Sequence, residues 1–133
     1  MKRVATVVTV ILGLAGGAAA QKTTEIHPGK GGSPHVRTEW TVDGANISVE
    51  YGRPYAKGRT IFPDIHKYGE VWRTGADEAT VLTTDKALTF GTLKVPAGKY
   101  SLWTVPGETE WQLVINKDIP KWGTMYKLSL IHI

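Results

Sequence analysis

Between Tyr51 and Thr80 the chain sets five cations among five aromatic rings. Arg53, Lys57, Arg59, Lys67 and Arg73 alternate with Tyr51, Tyr55, Phe62, Tyr68 and Trp72, and glycines recur every few residues. A guanidinium presents a planar fork of N–H donors that fits a carboxylate or phosphate, and it stacks on aromatic faces. Arg53, Lys57, Arg59 and Arg73, with Tyr55 and Trp72 as stacking platforms, therefore read as a site for a small anionic or carbohydrate ligand. The same stretch carries Asp64, Glu70, Asp77 and Glu78, so its charge nearly cancels. A second reading stays open, in which the arginines latch a long loop by bonding local acids and backbone carbonyls.

Other chemistry is sparser. Asp77, Glu78 and His66 are the candidates for acid–base work. Asp77 and Glu78 are adjacent and on a strand would point to opposite faces, so spacing alone does not pair them. A glycosidase pair needs carboxyls roughly 5–9 Å apart across a cleft. The four histidines, His27, His35, His66 and His132, lack the close spacing of a zinc helix motif. No metal ligand set and no cofactor motif is read from the sequence. There is no cysteine, and no serine sits in a Gly-x-Ser-x-Gly elbow. The run Gly29-Lys30-Gly31-Gly32 lacks the spacing and the preceding strand of a phosphate loop.

The elements around this block are strands. Val36, Thr38, Trp40 and Val42 alternate with polar residues, Asp43-Gly44 signals a two-residue hairpin turn, and Ile47, Val49 and Tyr51 return. Strands are expected over 79–84 and 87–95, separated near Asp85-Lys86. Another is expected over 99–105 after Pro96-Ala97-Gly98. A last one spans 110–116, with Trp111, Leu113 and Ile115 on one face. Short strands with Gly and Pro turns indicate an all-β, single-domain antiparallel β-sandwich, with a barrel as the alternative. The domain is expected over 35–126, and residues 21–34, polar and glycine-rich, read as a flexible lead-in.

Residues 1–20 form an export signal. Lys2 and Arg3 precede an apolar run from Val4 to Ala18, and Ala18-Ala19-Ala20 supplies small residues for cleavage before Gln21. The run is too short and glycine-broken for a spanning helix of ~20 apolar residues, so no stable membrane insertion is expected after cleavage. The formal net charge is +4, and loss of Lys2 and Arg3 halves it. So mild a charge gives no reason to expect nucleic acid as a partner. The protein is expected in the periplasm or outside the cell. Without disulfides its stability must come from the core, for which five tryptophans supply apolar surface. The terminal string LSLIHI, within 127–133, reads as sequencing-adapter read-through, which predicts a longer natural protein with further closing strands. The alternative is a short terminal strand.

Several ordered motifs carry a family resemblance. They are Ser33-Pro34, Tyr51-Gly52-Arg53-Pro54, Lys57-Gly58-Arg59, Ile61-Phe62, and Val71 to Ala76 with Glu78-Ala79-Thr80. Pro96 to Leu102, Trp111 and Trp122-Gly123 follow. Together they resemble the exported bacterial family called domain of unknown function 2911, over roughly Ser33 to Tyr126. Members usually have asparagine where this chain has Asp77, and glycine where it has Pro63. The resemblance implies fold and export but no assigned reaction. The sequence thus points to an exported binding or interaction module. The alternatives are an envelope hydrolase acting on glycans or phosphoesters, and a structural envelope protein with no ligand site. Its oligomeric state is not read from the sequence.

Overall fold

A computed structural model describes residues 21–120. The export signal and the 127–133 tail lie outside those residues. Among the described residues eight strands form: β1 (Lys22–His27), β2 (His35–Val42), β3 (Ala45–Gly52), β4 (Thr80–Thr84), β5 (Leu88–Phe90), β6 (Leu93–Val95), β7 (Gly98–Val105) and β8 (Gln112–Asn116). In the connection from β3 to β4, Ile61–Ile65 make a wide turn closed by the His66 N–H, which donates to the Ile61 carbonyl at 2.9 Å. The main sheet is antiparallel with order β1-β2-β3-β4-β7-β8, and β5 and β6 pair separately. The fold is all-β and layered, and the strands of the described residues form no closed barrel. Among the described residues no helix is long and apolar enough to cross a membrane.

The β2–β3 hairpin forms where the sequence places it. Val42 faces Ala45 across Asp43-Gly44, whose φ values of 49° and 80° are the paired positive values a type I′ turn needs. Register then fixes which side chains share a face. Val49, Leu82 and Tyr100 lie in one row, and Leu102 and Ile115 in the next. The β5–β6 hairpin packs onto this face through Leu88, Phe90 and Leu93. On the opposite face Trp103, 1% exposed, packs with Ala79 and Val114. Its indole N–H donates to Ser101 Oγ at 2.9 Å.

Two expectations are corrected. Residues 87–95 are not one strand: Gly91-Thr92 folds them into a hairpin in which Phe90 faces Leu93. The lead-in is not free of structure either, because Lys22–His27 is paired along β2. The strand was hidden because only its last residue, His27, is even partly buried, so no hydrophobic alternation marks it. Backbone pairing with an otherwise open sheet edge holds it instead. Thr23 lies opposite Thr38, their hydroxyls 3.2 Å apart.

The pairing of β1 with β2 slips by one residue between Glu25 and His27. Glu25 faces Val36, but His27 faces His35. A bulge of this kind re-aims the side chains beyond it.

Candidate functional site

The block after β3 is fastened to the sheet at its ends. Gly52 passes so close to Ala76 that an added Cβ would lie 2.2 Å from the Ala76 carbonyl oxygen. The Arg53 N–H donates to the Pro34 carbonyl at 2.8 Å. Further on, Trp72 and Thr104 exchange backbone bonds of 2.7 and 3.0 Å, and the Gly69 N–H donates to the Pro106 carbonyl. Thr74 holds φ 57°, costly for a β-branched residue. Its position is pinned: Thr74 Oγ1 donates to the Trp72 carbonyl, and Thr80 Oγ1 donates to the Thr74 carbonyl.

Inside these fastenings the aromatic side chains cluster. Phe62 meets Trp72 and Trp111 edge to face, with centroids 5.4 and 5.0 Å away. His66 lies 5.4 Å from Trp72. Burial first, and then the positive charge of Arg73, push the His66 pKa below its ordinary value. Trp72 Nε1 is buried with no hydrogen-bond partner among the described residues.

The cluster forms one wall of a cleft of about 650 Å³, and the Gly31–Ser33 turn contributes to another. Tyr55, Lys57, Arg59, Trp72 and Arg73 all line it. Arg53 is exposed and is not part of the lining. Tyr55 is 58% exposed and free to stack, whereas Trp72 is held inside the ring cluster. Of the acid–base candidates, His66 and Asp77 line the cleft and Glu78 does not.

The arginines are partly engaged by backbone. Arg59 donates from Nε to the Ala56 carbonyl and from Nη2 to the Tyr55 carbonyl, both at 2.8 Å. Arg73 Nε donates to the Gly75 carbonyl at 3.1 Å. Among the described residues no ion pair joins the block's lysines and arginines to its acids. The self-pairing that the charge balance permits is therefore not the latch; carbonyls are. Asp77 instead accepts the Lys30 N–H at 3.4 Å and adopts φ 61°, a left-handed backbone that asparagine and aspartate tolerate best.

Glu78 turns to two histidines that the sequence left apart. Its Oε1 lies 3.1 Å from His27 Nε2 and its Oε2 3.5 Å from His35 Nδ1. The two rings stack with centroids 4.9 Å apart. One donor atom from each residue falls within 4.8 Å of the others. Burial raises the Glu78 pKa, but its backbone hydrogen bond and the two histidines outweigh this and lower it. The lack of metal-ligand spacing in the sequence is thus not a lack of it in space. No sequence signal marks the group, because the long loop between β3 and β4 separates Glu78 from both histidines along the chain.

Residues 33–130 match the family described as Protein of unknown function (DUF2911). The chain belongs to this family. No curated protein and no solved structure matches it. The match spans β2 to β8 and includes the whole cleft-forming block, whereas β1 and the Gly31-Gly32 rim precede it.

Proposed function

We propose that the protein is an exported binding module that holds a small anionic or carbohydrate ligand in the cleft beside Trp72. The observation that carries this is the lining itself. Lys57, Arg59 and Arg73 meet there with Tyr55 and Trp72, and Asp77 is the one carboxylate among them. Arg59 and Arg73 each keep guanidinium N–H groups that no described residue engages. The cleft's size suits a small ligand, since such pockets run to roughly 300–1,000 Å³.

Titration of the full chain with inorganic phosphate and with glucuronate, followed by calorimetry, tests the proposal. Saturable binding to one probe is expected, lost in Arg73→Ala and weakened in Arg59→Ala, with the thermal midpoint little changed. Binding that survives both substitutions while the midpoint falls would assign these arginines to the latch alone.

A second reading draws on His66 and Asp77 sharing the cleft with the arginines. An acid and a base beside an anion-holding wall fit hydrolysis of a phosphoester or glycan. Turnover of a nitrophenyl phosphate or glycoside that disappears in both His66→Ala and Asp77→Asn would favour it. The location outside the cytoplasm rests on the pattern in residues 1–20, and the N-terminal mass of the secreted chain tests cleavage before Gln21.

A further inference from the structure

We infer that His27, His35 and Glu78 form a binding site for a divalent transition-metal ion of the zinc type. The site is separate from the ligand site proposed above, and either can fail without the other. Four observations carry it.

The donor set is chemically apt. Two imidazoles and a carboxylate hold zinc and its neighbours well, and the chain has no thiol to compete. The spacing is close to that of a site. Bonds of ~2.0–2.2 Å place neighbouring donors roughly 3–3.5 Å apart. Glu78 stands 3.1 Å from His27 through Oε1 and 3.5 Å from His35 through Oε2. One donor atom from each residue falls within 4.8 Å of the others, so small side-chain rotations close the set.

The buried atoms are unsatisfied. His35 Nδ1 and Glu78 Oε2 are both buried with no hydrogen-bond partner among the described residues, and the His35 side chain is 9% exposed. Where Nδ1 presents its lone pair to the buried carboxylate oxygen, a cation between them satisfies both atoms. Lastly, the backbone is built to bring the donors together. Without the bulge in β1, Ile26 would face His35 and His27 would fall beyond it. The extra residue puts both imidazoles on one face.

Proton placement gives the site a consequence. His27 Nδ1 accepts the Gly29 N–H at 3.1 Å, so in the neutral ring Nε2 carries the proton and donates to Glu78 Oε1. An ion bound at Nε2 displaces that proton, and the neutral ring then carries its proton on Nδ1. Gly29 must turn its N–H away. It sits in a turn where Gly29, Gly31 and Gly32 all have positive φ, and the last two line the cleft.

The test uses the tag-free chain after treatment with a chelator. Titration with Zn²⁺ should give one site per chain and a raised thermal midpoint. Co²⁺ should give the visible absorption of a low-coordinate site. Glu78→Gln keeps shape and should weaken Zn²⁺ at least tenfold. His27→Ala, whose side chain is 41% exposed, should do the same without the folding risk of changing His35. Arg59→Ala should bind Zn²⁺ like the parent. No saturable binding, or unchanged affinity in Glu78→Gln and His27→Ala, overturns the inference and leaves a hydrogen-bonded clasp.

Discussion

At the scale of single residues, His66 is the side chain whose charge state reports most on the cleft. Its folded pKa lies below the ordinary value, through burial and then Arg73. The unfolded chain therefore takes up a proton first as pH falls. The stability gained from the neutral ring is complete above about pH 6.5 and is lost as pH drops through that value toward the folded one. An anion beside Arg73 should raise the His66 pKa again, so anion binding should tighten on acidification, as a titration of the ring by NMR would show. Asp85 works in the same sense at lower pH. It accepts the Asn46 N–H at 2.8 Å and the Asn46 amide at 2.7 Å, and these bonds, backbone first, lower its pKa. Its contribution is present above its ordinary carboxylate pKa and is lost as acid protonates it. Asp85→Asn should flatten the acid limb of the stability curve. The residue scale also marks how far types alone can be read. That Arg59 and Arg73 are cations near aromatics was legible; that carbonyls rather than acids hold them was not. Charge counting cannot see backbone oxygens.

At the scale of elements, the contact of Gly52 with Ala76 joins the end of β3 to the far arm of the loop block. Gly52→Ala forces the Ala76 carbonyl aside. It should cost about 1–3 kcal/mol in chemical denaturation, as overpacking does. It should also weaken phosphate or glucuronate binding, because Ala76 and Asp77 line the cleft. The elements were unequally legible for a physical reason. The β2–β3 hairpin was plain because Ile47 and Val49 bury one face and Asp43-Gly44 supplies the turn. β5 and β6 merged into one because Leu88, Phe90, Leu93 and Val95 are apolar on both sides of Gly91-Thr92, a weaker turn signal. β1 left no trace because it buries almost nothing. The His27–His35–Glu78 group depended on β1, on its bulge and on a long loop together, and no local pattern encodes such a meeting.

At the scale of the whole molecule, the sheet has a core on each face. Trp103 anchors the second, and Trp103→Ala should cost about 3–5 kcal/mol in the unfolding free energy. The cores on the two faces share β7 and β8, so unfolding is expected as one transition by tryptophan fluorescence and circular dichroism alike. β1 stands outside this cooperation. From Lys22 to Ile26 its side chains are exposed, and His27 alone is partly tucked in. Near Lys22 one hydroxyl pair, Thr23 with Thr38, is its side-chain tie, whereas His27 is tied through Glu78 and stacks on His35, so the strand opens more easily from the Lys22 end. Deuterium uptake along β1 should therefore be graded, fastest at Lys22 and slowest toward His27. The sheet would then expose the outer edge of β2 to other chains in proportion to how loosely that one residue is held.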